Sequence, residues 1–409
     1  MDTQPTRMDA TADPSSGTLP MAALLALAMT GFLCIATETL PAGLLPQISQ
    51  GLAVSPSMAG QLVTAYALGS VVAAIPLTIA TSSWPRRHVL LATILGFLAF
   101  NSVTALSSDF WLTLVARFFA GISAGLAWSI LGAYARQMVA PHLQGRAMAV
   151  AMVGTPLALS LGVPLGTWMG GTIGWRAAFG VMSLLTVMLI GWVLIKVPNY
   201  PGQPATSRMP LTRVLMTPGV LPVLGVVMAW MLAHNILYTY VAPFVAPAGL
   251  EDRVDLVLLV FGITALMGIW IASRVVEGAL RSAVLASLVV FGLAALAFGI
   301  TTASPAMVYA GVGLWGLTFG GAATLLQTAL ADSARDGADV ALSVNVVAWN
   351  AAIAGGGILG GVLLRSWGVI SFPWAVLSLI LVALFLAWSA RAHGFPPGGR
   401  KQTTPAIGH

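Results

Sequence analysis

GISAGLAWSILG (121–132) returns 195 residues later as GLTFGGAATLLQ (316–327). The same offset pairs Gly125 with Gly320, Gly162 with Gly357 and Gly166 with Gly361. A second match joins IATSSWPRRHVLLA (79–92) to IASRVVEGALRSAVLA (271–286). Single glycine matches arise easily in a chain with 44 glycines, but several at one offset and at matching positions indicate two duplicated halves. Each copy lies in apolar sequence, so the repeated unit is a set of membrane spans.

Composition supports this. The 409 residues are 58% hydrophobic and 7% charged, against about 25% charged in an ordinary soluble domain. Too little polar surface remains to cover a body in water. Apolar runs of spanning length, about 17–25 residues, fall at 19–46, 59–80, 89–107, 110–133, 147–171, 176–196, 219–241, 254–273, 282–301, 304–330, 340–364 and 372–391. The eighth has the weakest start, crowded by Glu251, Asp252, Arg253 and Asp255. The expectation is an all-α integral membrane protein of twelve helices in two parallel-repeat six-helix halves, an arrangement used by carriers that rock around a midplane site.

The domain plan follows. Residues 1–18 are polar and Pro/Ser-rich and read as a disordered tail, with no cleavable signal peptide. The first half covers 19–196 and the second 219–391, joined by the Pro-rich linker VPNYPGQPATSRMPLTRVLMTP (197–218), with a tail at 392–409. Placing the N-terminus inside puts 14 of the 18 Lys and Arg residues on the cytoplasmic side, so both termini are expected there, in a plasma (inner) membrane. The net charge of +6 is then a topology signal and no pointer to nucleic acid. Cys34 is the sole cysteine, so the chain holds no internal disulfide or thiolate metal site. No cofactor or metal is expected, and the chain reads as a monomer in the bilayer.

Further stretches carry a resemblance: TETLPAGLLPQIS (37–49), LAVSPSMAGQLVTAYALG (52–69), RFFAGISAG (117–125), GTPLALSLGVPLGTWMGG (154–171) and GWRAAF (174–179). Over residues 20–391 the chain resembles the major facilitator superfamily. More narrowly it resembles the twelve-span drug/proton antiporter group, with its sugar, arabinose and purine ribonucleoside efflux branch. The resemblance implies a hinge in the fifth span at Gly162, Pro164 and Gly166. It also implies a cytoplasmic loop motif, of which IATSSWPRRHV keeps Arg86 and Arg87 but lacks the usual Gly and Asp. That departure puts the usual salt-bridge latch between halves in doubt.

Glu38 is the one acidic residue inside a span. A carboxylate there costs roughly 2.5–3.5 kcal/mol, and proton coupling needs a group charged in one state and neutral in another. Glu38 therefore reads as a coupling or substrate-contacting group, or as an interfacial carboxylate near the outer headgroups. Arg117 lies in the fourth span, and its repeat mate is Val312, so it is no part of the shared scaffold. The resemblance implies proton transfer or helix packing for it; snorkelling to the interface is the plainer reading. Trp230, His234 and Tyr238 are spaced i, i+4, i+8 and share a helix face. That face suits a planar substrate, or is a packing stripe; His234 could also share the proton role. Amides inside spans need partners or a cavity. The cavity-lining spans that the resemblance implies favour Asn235, Gln327, Asn345 and Asn350 as substrate contacts, with Trp349 on the face of Asn345, and leave Asn101 structural.

The leading expectation is an exporter of a drug, nucleoside or sugar in exchange for protons, by alternating access. An uptake symporter of the same fold is the alternative. A membrane-embedded enzyme lacks a catalytic cluster, and no GxxxxGK[ST] loop suggests an ATP-driven pump.

Overall fold

The computed structural model describes residues 18–202, 210–301 and 303–398. Most of the expected N-terminal tail, the middle of the linker and the end of the C-terminal tail lie outside them. Among the described residues there is no strand, and eleven helices are long and apolar enough to cross a membrane. In lipid a spanning backbone must satisfy its own polar groups, which helices do within one segment. The chain is a multi-pass membrane protein.

The crossings are α1 (Met21–Gly43), α2 (Pro56–Ala80), α3 (Arg86–Leu106), α4 (Phe110–Gln137), α5 (Pro141–Ile173), α6 (Trp175–Lys196), α7 (Val220–Thr239), α8 (Val254–Ile300), α9 (Pro305–Ala334), α10 (Ala338–Trp367) and α11 (Phe372–Ser389). Local chemistry marks several ends. Ser55 caps α2 by accepting from the Met58 N–H at 3.2 Å. Asp109 caps α4 by accepting from the Leu112 N–H at 2.7 Å.

Eleven helices supply twelve crossings because α8 is two. Its 47 residues would extend about 70 Å if straight, more than twice a hydrocarbon core of about 30 Å. The run breaks at Ala279, whose φ of −146° and ψ of 36° are not helical. The charges Arg274, Glu277 and Arg281 mark where the chain leaves the apolar layer. Arg281, just past the break, donates to the backbone carbonyls of Ala387, Trp388 and Phe395 at 2.8–2.9 Å. It thereby satisfies carbonyls at the end of α11, and it holds residue 395 of the expected tail, whose ring is buried. The linker is not featureless either. Residues Leu211–Leu215 form a short helix, and the Tyr200 carbonyl accepts from the Arg86 N–H at 2.9 Å.

The repeat is visible as packing. An added Cβ at Gly121 would lie 1.9 Å from the Tyr66 carbonyl oxygen, and one at Gly125 2.6 Å from that of Ser70. At the 195-residue offset, Gly316 meets the Phe261 carbonyl at 2.4 Å and Gly320 that of Ala265 at 2.0 Å. The same backbone contact thus joins α2 to α4 and the first arm of α8 to α9. Small residues at such positions let spanning helices approach closely.

The two sets of six crossings meet along α2 against α10 and the first arm of α8 against α5. Far from the basic end that holds Arg86, Arg87 and Arg136, a polar cluster ties them. Ser57 donates to the Gly361 carbonyl at 2.9 Å. Gln61 donates to the Gly357 carbonyl and the Tyr240 hydroxyl, both at 3.3 Å. The Tyr240 hydroxyl lies 2.8 Å from the Gly357 carbonyl that accepts from it. At the repeat-related position stands a cavity of about 310 Å³, lined by Thr167, Gln47, Glu251, Asp252 and Asp255 among others.

Candidate functional site

Two charged residues that sequence places inside spans come together. Glu38 is 6% exposed and Arg117 is wholly buried. Arg117 Nη2 donates to the backbone carbonyl of Glu38, and its Nε to that of Leu62, each at 3.3 Å. The guanidinium carbon sits 4.8 Å from the Tyr66 ring centre and 5.7 Å from that of Phe179. Two carbonyl dipoles and two ring faces thus hold a cation deep in the first six crossings, while Nη1 has no hydrogen-bond partner. Arg117 does not snorkel: it is enclosed. The neighbourhood of Glu38 is otherwise braced. Asn101 donates to the Thr37 hydroxyl at 3.0 Å, and the Tyr66 hydroxyl donates to the Cys34 carbonyl at 2.8 Å.

Across the interface stands a ring cluster on α7, α8, α9 and α10. His234 is 6% exposed. Trp315 Nε1 donates to its Nδ1 at 3.1 Å. Phe319 lies parallel over the imidazole, with ring centres 3.6 Å apart and planes 10° from parallel. Tyr238 stacks at 5.1 Å and Phe261 is tilted at 5.7 Å. Half-buried Trp349 reaches Phe319 at 6.4 Å. The Tyr238 hydroxyl is buried, and no hydrogen bond of good geometry reaches it. The helix of Glu38, α1, packs against α7, which carries His234 and Tyr238.

Sequence similarity agrees with this architecture. The family profile of the Major Facilitator Superfamily matches residues 27–336. The chain belongs to the Major Facilitator Superfamily. It is also similar to proteins called purine ribonucleoside efflux pump NepI from Salmonella paratyphi A, Salmonella typhimurium and Salmonella typhi. Each is 27% identical over 373 residues, covering 90% of this chain and 94% of the relative.

Within this superfamily transporter the other expected residues divide. Trp230 is wholly buried with an unpartnered indole N–H; the rings around His234 are instead Phe261, Trp315 and Phe319. Asn235 and Asn350 each turn their amide back to the carbonyl four residues earlier, Met231 at 2.8 Å and Val346 at 3.0 Å. Asn345 is buried with its Oδ1 unpartnered. Gln327 is exposed on α9, away from the ring cluster.

The fifth span, where the resemblance implies a hinge, changes its helical pitch. Residues Ala158–Gly162 are π-helical, directly before Val163–Ile173. Pro164 has no N–H to give to residue 160 and its ring crowds that carbonyl; the wider π turn accommodates both. An added Cβ at Gly162 would meet Phe32 at 2.6 Å, and at Gly166 would meet Leu40 at 2.6 Å. This part of α5 is thus packed on α1, the helix of Glu38. Arg86 and Arg87, expected in the loop after α2, instead open α3 just beyond that loop, and the linker straps them: Arg87 N–H donates to Asn199 Oδ1 at 3.3 Å. Burial raises the Tyr200 phenol above its ordinary value there.

Phe261, Trp315 and Phe319 escaped the reading of single motifs. The repeat was the signal that could have found them, since the offset pairs Phe261 with Tyr66 and His234 with Thr39.

Proposed function

We propose that this superfamily transporter exports a small molecule, of drug, nucleoside or sugar size, in exchange for protons by alternating access. The observation that carries the reading is the buried carboxylate of Glu38 on α1, which packs against α7, the helix of His234 and Tyr238. A group that can change charge and a ring cluster stand on neighbouring helices, so the binding of one can be made to depend on the other. The activity for which the relatives are named, purine ribonucleoside efflux, favours a nucleoside among these substrates.

In this reading residues 19–196 and 219–391 act as two bodies. Protonation of Glu38 removes a charge from the interface and favours one tilt; release of the proton favours the other. Arg117 stays in place, held by carbonyls and rings, and supplies a fixed positive field beside the carboxylate. The π-helical stretch before Pro164 flexes as α5 and α8 move against each other. The basic end faces the cytoplasm with both termini, as the Lys and Arg distribution favours, and the protein works in the inner membrane as a monomer. It is a carrier and no enzyme, and its partners are the solute, protons and lipid, with no role for nucleic acid.

Everted vesicles test this. Candidate compounds are added to vesicles with an imposed pH gradient. A transported substrate should collapse the gradient with wild type and fail to do so with Glu38→Gln, while Glu38→Gln still binds it. Equal proton movement by both proteins would remove Glu38 from the coupling step.

A further inference from the structure

The hydrogen bond from Trp315 to His234 has a chemical consequence for the solute. An indole N–H only donates. The Nδ1 that receives it at 3.1 Å therefore carries no proton, and the neutral ring bears its hydrogen on Nε2. Protonating the ring would place hydrogens on both nitrogens and set N–H against N–H. Phe319 covers one face of the imidazole at a centre distance of 3.6 Å. On that side the face is already occupied, so the ring offers a solute its edge. The remaining 6% exposure of His234 is consistent with one edge left open. Flat rings stand close by: Tyr238 stacks on the imidazole at 5.1 Å, and Trp349 lies 6.4 Å from Phe319. No counterpart exists in the first six crossings, where Thr39 and Ala120 occupy the repeat-related positions of His234 and Trp315.

We infer that Trp315 is a positioning residue that fixes His234 as the Nε2–H tautomer, so that the imidazole edge reads a hydrogen-bond acceptor on an uncharged, planar heteroaromatic solute. This rests on the exporter reading and narrows its substrate class. A solute with an acceptor in its ring plane is bound by donation from Nε2 and by stacking on the flanking rings. A solute of the same shape without that acceptor leaves the N–H unpaired in a dry site, and discrimination against it is about tenfold.

The experiment uses the purified full-length transporter, with adenosine and its 1-deaza, 3-deaza and 7-deaza analogues as probes. Each analogue removes one ring acceptor while keeping the shape. Wild type should bind one of the three about tenfold more weakly than adenosine. That ratio should fall to near one in His234→Leu, survive in His234→Gln, whose amide still donates, and shrink several-fold in Trp315→Phe. A structural role alone would weaken parent and analogue alike and leave the ratio unchanged. Nitrogen-15 histidine spectra give a second measure that needs no ligand: the wild-type signal absent from His234→Gln should show Nε2 protonated and Nδ1 bare. A protonated Nδ1, or a ratio that persists in His234→Leu, overturns the inference. If adenosine binds and no analogue is discriminated against, the exporter reading stands and this inference fails. If neither adenosine nor any analogue binds, the purine class falls and this inference with it.

Discussion

Arg117 shows how a single residue can be tied by its shape as much as by its charge. Its fork reaches two carbonyls on different helices while its plane faces Tyr66 and Phe179. Lysine keeps the charge but presents a point donor on a flexible stem. Arg117→Lys should therefore lose at least one charge-assisted bond of about 1.5–3 kcal/mol. Thermal unfolding in detergent should show a lower midpoint, and transport should fall with it. An unchanged midpoint would mean that the carbonyl contacts contribute nothing to the fold. Sequence marked Glu38 and Arg117 because charges in spans are rare. That Arg117 bonds the backbone carbonyl of Glu38 is decided by packing, since helix order in space is not written in either helix.

At the scale of the helix, glycines divide into two kinds that sequence does not separate. Gly121 sits against the Tyr66 backbone, where a methyl has no room. Gly180, on α6, has nothing within 4 Å of an added Cβ. Alanine favours a helix over glycine by up to about 1 kcal/mol. Gly180→Ala should therefore be neutral or mildly stabilising, whereas Gly121→Ala should force α2 from α4 and lower the yield of folded protein. Size-exclusion profiles and melting midpoints of the two variants check this; matching behaviour would refute the packing role. The π-helical stretch belongs to the same scale. Pro164 should cause it, and Pro164→Ala should let residues 158–162 relax towards α-helix. A slower transport cycle with substrate affinity retained is the expected outcome; an unaffected rate would show that the stretch is no hinge.

The whole molecule is a duplication whose halves have been put to different uses. Equivalent glycines make equivalent backbone contacts, but the first half holds a polar cluster of Glu38, Arg117 and Tyr66 and the second an aromatic one of His234, Phe261 and Trp315. The end opposite the basic loops is asymmetric too, tied by Ser57, Gln61 and Tyr240 on one side and open as an acidic cavity on the other. The proposed alternating access requires that tie to break. Tyr240→Phe removes the hydroxyl shared among Gln61, Ser57 and Gly357, a loss of about 1 kcal/mol and so about fivefold in the opening equilibrium. Cys34 is the only cysteine and is wholly buried, so a cysteine placed by Ser57→Cys can be followed alone with a membrane-impermeant maleimide. Its labelling should speed up several-fold when Tyr240→Phe is added. No acceleration would mean that the cluster does not hold the two bodies together.

Sequence by itself determined the solvent, the class and the repeat. Low charge and long apolar runs leave only lipid as surroundings, lipid leaves only helices, and an offset of 195 residues gives the duplication. These properties are local or periodic, so one strand of text holds them. Twelve crossings were legible for the same reason, the eighth and ninth parting at Ala279, where the backbone leaves the helical region. Tertiary structure alone decided which polar groups serve the site. Asn235, Trp230 and His234 look alike on one apolar helix, yet the first bonds its own backbone, the second is sealed in packing, and the third meets Trp315 and Phe319 from another helix. A side chain's role in a dry interior depends on what lies across from it, and that partner is set by how the helices pack.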